Sequence, residues 1–270
     1  MGTPHYSTFL ENYELDEAHY EEILNVIREH SGPNDKIIKH ELYEITRKSF
    51  ERLNPGVWLN DEIMNGYVSL INKRCRSTET GDRRTCFAFY TTFYTMLTDM
   101  NRLGTYNFRK LQRIVEKQKV NLRTLKTILI PINLTDSHWL LMSLDLTENI
   151  FYIIDSMGSS KQSAEHYVNV VRQFLQEYFH ATKSESKSTI RKSFQPAAFD
   201  DNLANWKIVT PKDVTRQING SDCGMHTCIN MELLSRGPSD HALLNYPMDP
   251  DISMQTRKKM QIELLIGKLI

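Results

Sequence analysis

Cys223 stands just after a turn-forming run, Gln217-Ile218-Asn219-Gly220-Ser221-Asp222, and just before an apolar-periodic stretch that reads as a helix. A helix N-terminus presents unpaired backbone N–H groups and the positive end of the macrodipole, both of which favour an ionised sulfur. A thiolate nucleophile also needs a base, and the base needs a third group to fix its tautomer. His138 opens an apolar strand-like run and Asp155 lies near the end of the next one. If the two runs form a hairpin turning at Thr147-Glu148, Asp155 faces Leu140 on the same side as His138. Such diagonal neighbours sit about 7–8 Å apart at the backbone, within reach of a carboxylate–imidazole contact. A register slip of one residue would put them on opposite faces. Gln217 can turn its amide toward a developing oxyanion, with the Cys223 N–H as second donor, and Gly220 and Gly224 let backbone approach the sulfur closely.

Each of these residues also has an ordinary role. A cysteine before a helix often packs as a small core residue, a histidine or aspartate can simply finish a strand, and a loop glutamine says nothing alone. Cys223, His226 and Cys228 are helix neighbours that could suggest zinc, but no Cys-x-x-Cys pair elsewhere completes such a site. We therefore expect no metal.

The elements that must carry these residues are partly legible. Ile128 to Leu134, His138 to Leu146 and Ile150 to Met157 are rich in aliphatic and aromatic residues separated by turn formers, which predicts three sheet strands. Thr46 caps a short helix ending near Leu53, and Asn54-Pro55-Gly56 turns the chain into Trp58. Asn60 caps a second helix, with Asp61 and Glu62 at its positive end and Ile63, Tyr67, Leu70 and Ile71 along one face to about Arg74. Ser77 to Arg84 reads as a loop, and the aromatic run Phe87 to Tyr94 fits strand or helix equally. Tyr167, Val170, Val171, Phe174, Leu175 and Tyr178 mark an amphipathic helix, followed by a Ser/Lys-rich surface loop from Ala181 to Ser193. Leu15, Tyr20, Ile23, Leu24 and Ile27 recur near helical spacing before Ser31-Gly32-Pro33. Residues 1–36 thus read as a helical appendage to a core domain over 37–270. Strands grouped in the middle with helices at both ends predict an α+β fold.

Composition excludes several classes. Thirty-three basic and 33 acidic residues cancel in a chain of 270, so no global field favours nucleic acid or an anionic membrane. The most apolar stretch is interrupted by Pro131, Asp136, His138, Asp145, Glu148 and Asp155, which rules out a membrane span there. The start of the chain shows neither a secretory pattern nor a myristoylation signal. Four cysteines without such a signal predict free thiols in a reducing compartment, nucleus or cytoplasm. We expect a monomer.

Taken together, His138-Trp139, Tyr152-Ile153-Ile154-Asp155-Ser156-Met157-Gly158 and Gln217 to Met225 resemble the His, Asp and Gln/Cys motifs of the ubiquitin-like-protein-specific cysteine proteases. The SUMO-specific branch is the most similar, and Asn219-Gly220-Ser221-Asp222 favours it. Trp58-Leu59-Asn60-Asp61-Glu62-Ile63 resembles that family's substrate-binding motif, and Arg257-Lys258-Lys259-Met260 resembles its last helix. The resemblance implies a papain-like α+β protease domain with a central mixed or antiparallel sheet flanked by helices, and no cofactor. By the same resemblance His138 is the general base, Asp155 its orienting partner, Cys223 the nucleophile and Gln217 the oxyanion donor. Trp58 and Trp139 resemble the two indoles that clamp the modifier's Gly-Gly tail, between which only glycine fits. Asp61 resembles the acidic contact to a basic residue of the modifier. The implied partner is SUMO and its conjugates. The alternatives are the same chemistry on another ubiquitin-like modifier, or an idle module that only binds one.

Overall fold

The first hairpin follows from alternation: β1 (Lys36–His40) and β2 (Tyr43–Thr46) pair antiparallel and send Ile38 and Ile45 into the core. The computed structural model describes residues 21, 24–25, 27–29, 31–40, 43–76, 85–134, 137–183, 199–236 and 241–270. Leu24 and Ile27 are helical and pack against this core. Leu15, Tyr20, Ile23, the expected loop at 77–84 and most of the Ser/Lys-rich tract lie outside the described residues.

Thr46 caps α1 (Arg47–Phe50) as expected, accepting from the Ser49 N–H at 3.3 Å, and a 3-10 turn carries the chain to Leu53. Gly56, at φ 78°, supplies the left-handed residue that lets the Asn54-Pro55-Gly56 turn deliver Trp58. Asn60 then caps α2 (Asp61–Arg76), its Oδ1 accepting from the Ile63 N–H. Caps of this kind contribute about 1 kcal/mol each.

The central sheet has five strands, each beside its neighbour in the chain. β4 (Thr127–Leu134), β5 (His138–Asp145) and β6 (Ile150–Ile154) form an antiparallel meander. Two short strands, β3 (Cys86–Ala88) and β7 (Lys207–Val209), add in parallel at its edges, so the sheet is mixed. The aromatic run thus divides, its first residues in β3 and its last in α3 (Thr92–Leu103).

Period-two alternation sorts the sheet's two faces. Trp139 and Leu141 of β5 join one apolar cluster with Leu129 and Ile154; Leu140, Met142 and Leu144 join the other with Ile128, Ile130, Phe151 and Ile153. The first face is covered by α2, α6 (Cys223–Leu234) and α7 (Pro250–Ile266), and the second by α3, α4 (Phe108–Lys117) and α5 (Lys161–Ala181). Every residue of α6 is buried, so it is a central helix rather than an amphipathic cover. Its N-terminus therefore meets the sheet at a fixed place.

Candidate active site

The β5–β6 register decides whether His138 and Asp155 can meet. Leu141 pairs with Ile154 and Met142 with Ile153, which continues to Leu140 opposite Asp155 as the sequence predicts. The imidazole Nε2 of His138 lies 2.7 Å from Asp155 Oδ1. The same oxygen accepts from the Met157 N–H at 2.8 Å, and Oδ2 accepts from the Ser159 hydroxyl at 2.7 Å. Burial alone would raise the Asp155 carboxyl, yet these donors, His138 foremost, hold it below the usual carboxylate range. Ser159 was not foreseen; its only sequence signal is a hydroxyl four residues after the aspartate.

His138 Nδ1 is buried and has no hydrogen-bond partner among the described residues, and Cys223 acts on the titration of the ring. Burial alone would push the imidazolium down, but Asp155 and Cys223 outweigh it and raise the group to about 9. Burial would likewise raise the Cys223 thiol; His138, the backbone N–H of Trp139 and the backbone N–H of Gly224 together bring it below its ordinary value. The two shifts run toward one another. Each group thus favours the charged form of the other, the thiolate and the imidazolium.

This charge pair is directly testable with a small alkylating agent. In the Asp155→Asn variant the imidazolium loses its carboxylate, its affinity for the proton falls, and the thiolate loses a counter-ion. Iodoacetamide modification of Cys223, followed by peptide mass mapping against pH, is therefore expected to begin at higher pH in the variant than in the parent. Coincident profiles would show that Asp155 does not support the pair.

Cys223 sits in the first turn of α6 because the preceding turn is stapled. Asn219 Oδ1 accepts from the N–H groups of Ser221 and Asp222, and Asn219 Nδ2 donates to Asp222 Oδ2 at 2.7 Å. Asp222 does not cap the helix with its side chain. Its carboxylate is wholly buried against Arg257, which donates Nη2–H at 2.6 Å and Nε–H at 3.0 Å, and it accepts from Ser253 at 2.6 Å. Burial would raise this carboxyl, but Ser253, Arg257 and Asn219 hold it low. Sequence reasoning placed Arg257 in a last helix without seeing this link, which spans 35 residues.

Arg257 also ties the turn before Cys223 to the loop before Trp58. Its Nη1 donates to the carbonyls of Arg52 and Asn54, and its Nη2, shared with Asp222, also reaches those of Val57 and Ser221. Trp58 is exposed, and its indole N–H donates to the Gly220 carbonyl at 2.8 Å. Trp139 is buried, and its indole N–H donates to the Leu59 carbonyl at 3.0 Å. A Cβ on Gly224 would lie 2.9 Å from Leu59 Cβ and 3.2 Å from Trp139 Cδ1, so only glycine lets α6 approach both. Gly220 faces open space, and its part is its carbonyl rather than close packing. Asp61 is exposed at the start of α2, on the wall of an open groove shared with Asn133, Leu134 and His166.

Gln217 lies beside the aspartate turn. Its Oε1 accepts from the Ser156 hydroxyl at 2.7 Å and its Nε2 donates to the Asn219 carbonyl at 2.6 Å. His226 turns away from Cys223, its Nδ1 2.7 Å from the Tyr246 hydroxyl, and the Cys228 thiol contacts Met64 Sδ. All four cysteines are free thiols. Among the described residues no group of three His, Cys, Asp or Glu side chains could hold a metal ion, and no helix is long and apolar enough to cross a membrane.

A cysteine at a helix N-terminus, a histidine and a buried carboxylate on a mixed sheet are the elements of the papain-like class of site. Residues 57–268 match the Ulp1 protease family, C-terminal catalytic domain. Sentrin-specific protease 2 of Homo sapiens is 31% identical over 261 residues, covering 95% of this chain and 38% of that protein. Ubiquitin-like-specific protease 1 of Saccharomyces cerevisiae is 28% identical over 200 residues, covering 74% of this chain and 27% of that protein. The X-ray structure of the C-terminal Ulp1 protease domain in complex with Smt3, the yeast ortholog of SUMO, matches with a TM-score of 0.67 at 26% identity, covering 96% of this chain and 98% of that one. The chain belongs to the Ulp1 protease family, and it spans well under half the length of those two curated relatives.

Proposed function

We propose that this chain is a thiol protease that cleaves after the C-terminal Gly-Gly of SUMO, either releasing it from a lysine or maturing its precursor. The observation that carries the reading is the 2.7 Å Asp155–His138 contact, together with the opposed shifts by which His138 and Cys223 each favour the other's charged form. The names of the relatives, and the presence of Smt3 in the matched complex, favour SUMO among the modifiers.

The chemistry follows from the charges. The Cys223 thiolate attacks the terminal glycine carbonyl, and the oxygen that becomes negative is received by the Cys223 backbone N–H and the Gln217 amide. His138 gives its proton to the departing lysine amine, leaving a thioester. It then accepts a proton from water, whose attack on the thioester frees the modifier's carboxylate and restores the thiolate. Trp58 and Trp139, linked through Leu59, flank the entry of the glycine tail, and Asp61 meets a basic residue of the modifier. The protease domain is taken as residues 37–270, with the preceding segment as an appendage, and the compartment as nucleus or cytoplasm.

The test is a SUMO vinyl-sulfone probe beside ubiquitin and other modifier probes of the same chemistry. A covalent adduct with the SUMO probe, mapped to Cys223, is the expected outcome. Binding without an adduct would make the chain an idle module, and an adduct with another modifier alone would reassign the substrate.

A further inference from the structure

The turn after the catalytic aspartate and the loop before the nucleophile are fastened together by three bonds. Arg216 Nη1 donates to the Asp155 carbonyl at 3.0 Å, the Gln217 N–H donates to the Ser156 carbonyl at 3.2 Å, and the Ser156 hydroxyl donates to Gln217 Oε1 at 2.7 Å. The Arg216 guanidinium lies where a Cβ on Gly158 would come within 2.6 Å of it, and Gly158 has φ 92°, so this turn takes its shape around that strap. Ser156 is buried at 4% exposure, whereas Ile218 beside Gln217 stands half exposed. The hydroxyl is therefore the fixed partner and the glutamine amide the group it holds.

The direction of that amide matters. A primary amide has an accepting end and a donating end, and only the donating end can stabilise an oxyanion. The Asn219 carbonyl is an acceptor, so the end of Gln217 that faces it is Nε2. The opposite end is then Oε1, and it is engaged by a buried hydroxyl that can turn its proton to it. Nε2 carries two protons, and among the described residues only one of them has a partner. Without Ser156 the amide keeps one bond and is free to pivot about it.

We infer that Ser156 is a positioning residue for the reaction: its hydroxyl holds the Gln217 amide with the second N–H of Nε2 available to the oxyanion. This deepens the protease reading above and rests on it for the kinetic half of its test. Ser156 touches no reacting atom. It acts through Gln217 alone, which is what separates it from a merely structural buried serine.

Two measurements on the whole chain decide it. In the uncomplexed protein, 15N relaxation of the Gln217 side-chain amide is expected to report a restrained group in the parent and a more mobile one in Ser156→Ala, with backbone shifts elsewhere unchanged. An equally restrained amide in the variant overturns the inference whatever the substrate proves to be. In steady-state cleavage of a SUMO-coumarin substrate, Ser156→Ala is expected to lower kcat about tenfold with KM unchanged, short of the roughly 10²–10³-fold cost of losing an oxyanion donor outright. The same change in a Gln217→Ala background is expected to cost nothing further. A full additional loss in that background, or no loss in the single variant, overturns it. Absence of cleavage by the parent protein would fail the protease reading and leave the amide relaxation as the deciding measurement for Ser156.

Discussion

Cys223→Ser is expected to lower kcat/KM for a SUMO-coumarin substrate by a factor on the order of 10⁴ or more, because nucleophile and base act as one unit. The magnitude follows from the charge pair rather than from the loss of one atom. His138 is raised to about 9 in part by the sulfur it faces, and a serine hydroxyl stays neutral at any pH the fold tolerates. The variant therefore loses its preformed nucleophile and also weakens the imidazolium that protonates the leaving amine. NMR titration of His138 gives the second readout: its midpoint should fall in Cys223→Ser, while the remaining Asp155 bond keeps it above the value that burial alone would impose. Undiminished cleavage would remove Cys223 from the mechanism. An unmoved His138 midpoint would show that the two groups are not electrically paired.

How much of this was legible in the chain depends on the range over which each contact is made. The β5–β6 hairpin was, because a short connection and alternating apolar residues set the register locally, and Leu141 opposite Ile154 follows from them. The His138–Asp155 contact was legible for the same reason, since both residues are on one hairpin, and the motif before Cys223 placed that residue at a helix start. The edge strands β3 and β7 were not, since three residues pairing in parallel with a distant strand carry almost no local pattern. Helix α4 was legible in principle. Asn107 caps it through Lys110, and Leu111 and Val115 recur on its buried face. The carboxylate that anchors the turn before Cys223 was hidden by its own position. Asp222 stands where a helix cap is expected, and only the tertiary fold reveals that its side chain serves Arg257 instead.

That hidden pair sets the largest expected stability effect. Arg257→Ala leaves the Asp222 carboxylate in the interior with Ser253 and Asn219 as its side-chain partners, and it strips a donor from the carbonyls of Arg52, Asn54, Val57 and Ser221. Removing one partner of a buried ion pair costs about 3–5 kcal/mol, far more than an exposed pair contributes. Thermal unfolding of a chain this size should then shift down by roughly 10 °C. Arg257→Lys should recover only part of this, since an ammonium restores the charge but not the planar fork that reaches both carboxylate and carbonyls. The pH dependence carries the sign. In the parent the Asp222 carboxyl is held low, so its contribution is fully present above the ordinary aspartate value near 3.9 and is lost as pH falls through the lowered one. In Arg257→Ala the carboxyl has lost its cation, burial raises it, and protonation relieves the variant where it begins to harm the parent. The difference in melting temperature should accordingly be larger at pH 7 than at pH 4. A deficit independent of pH would mean that the lost carbonyl contacts, rather than the stranded carboxylate, account for the instability.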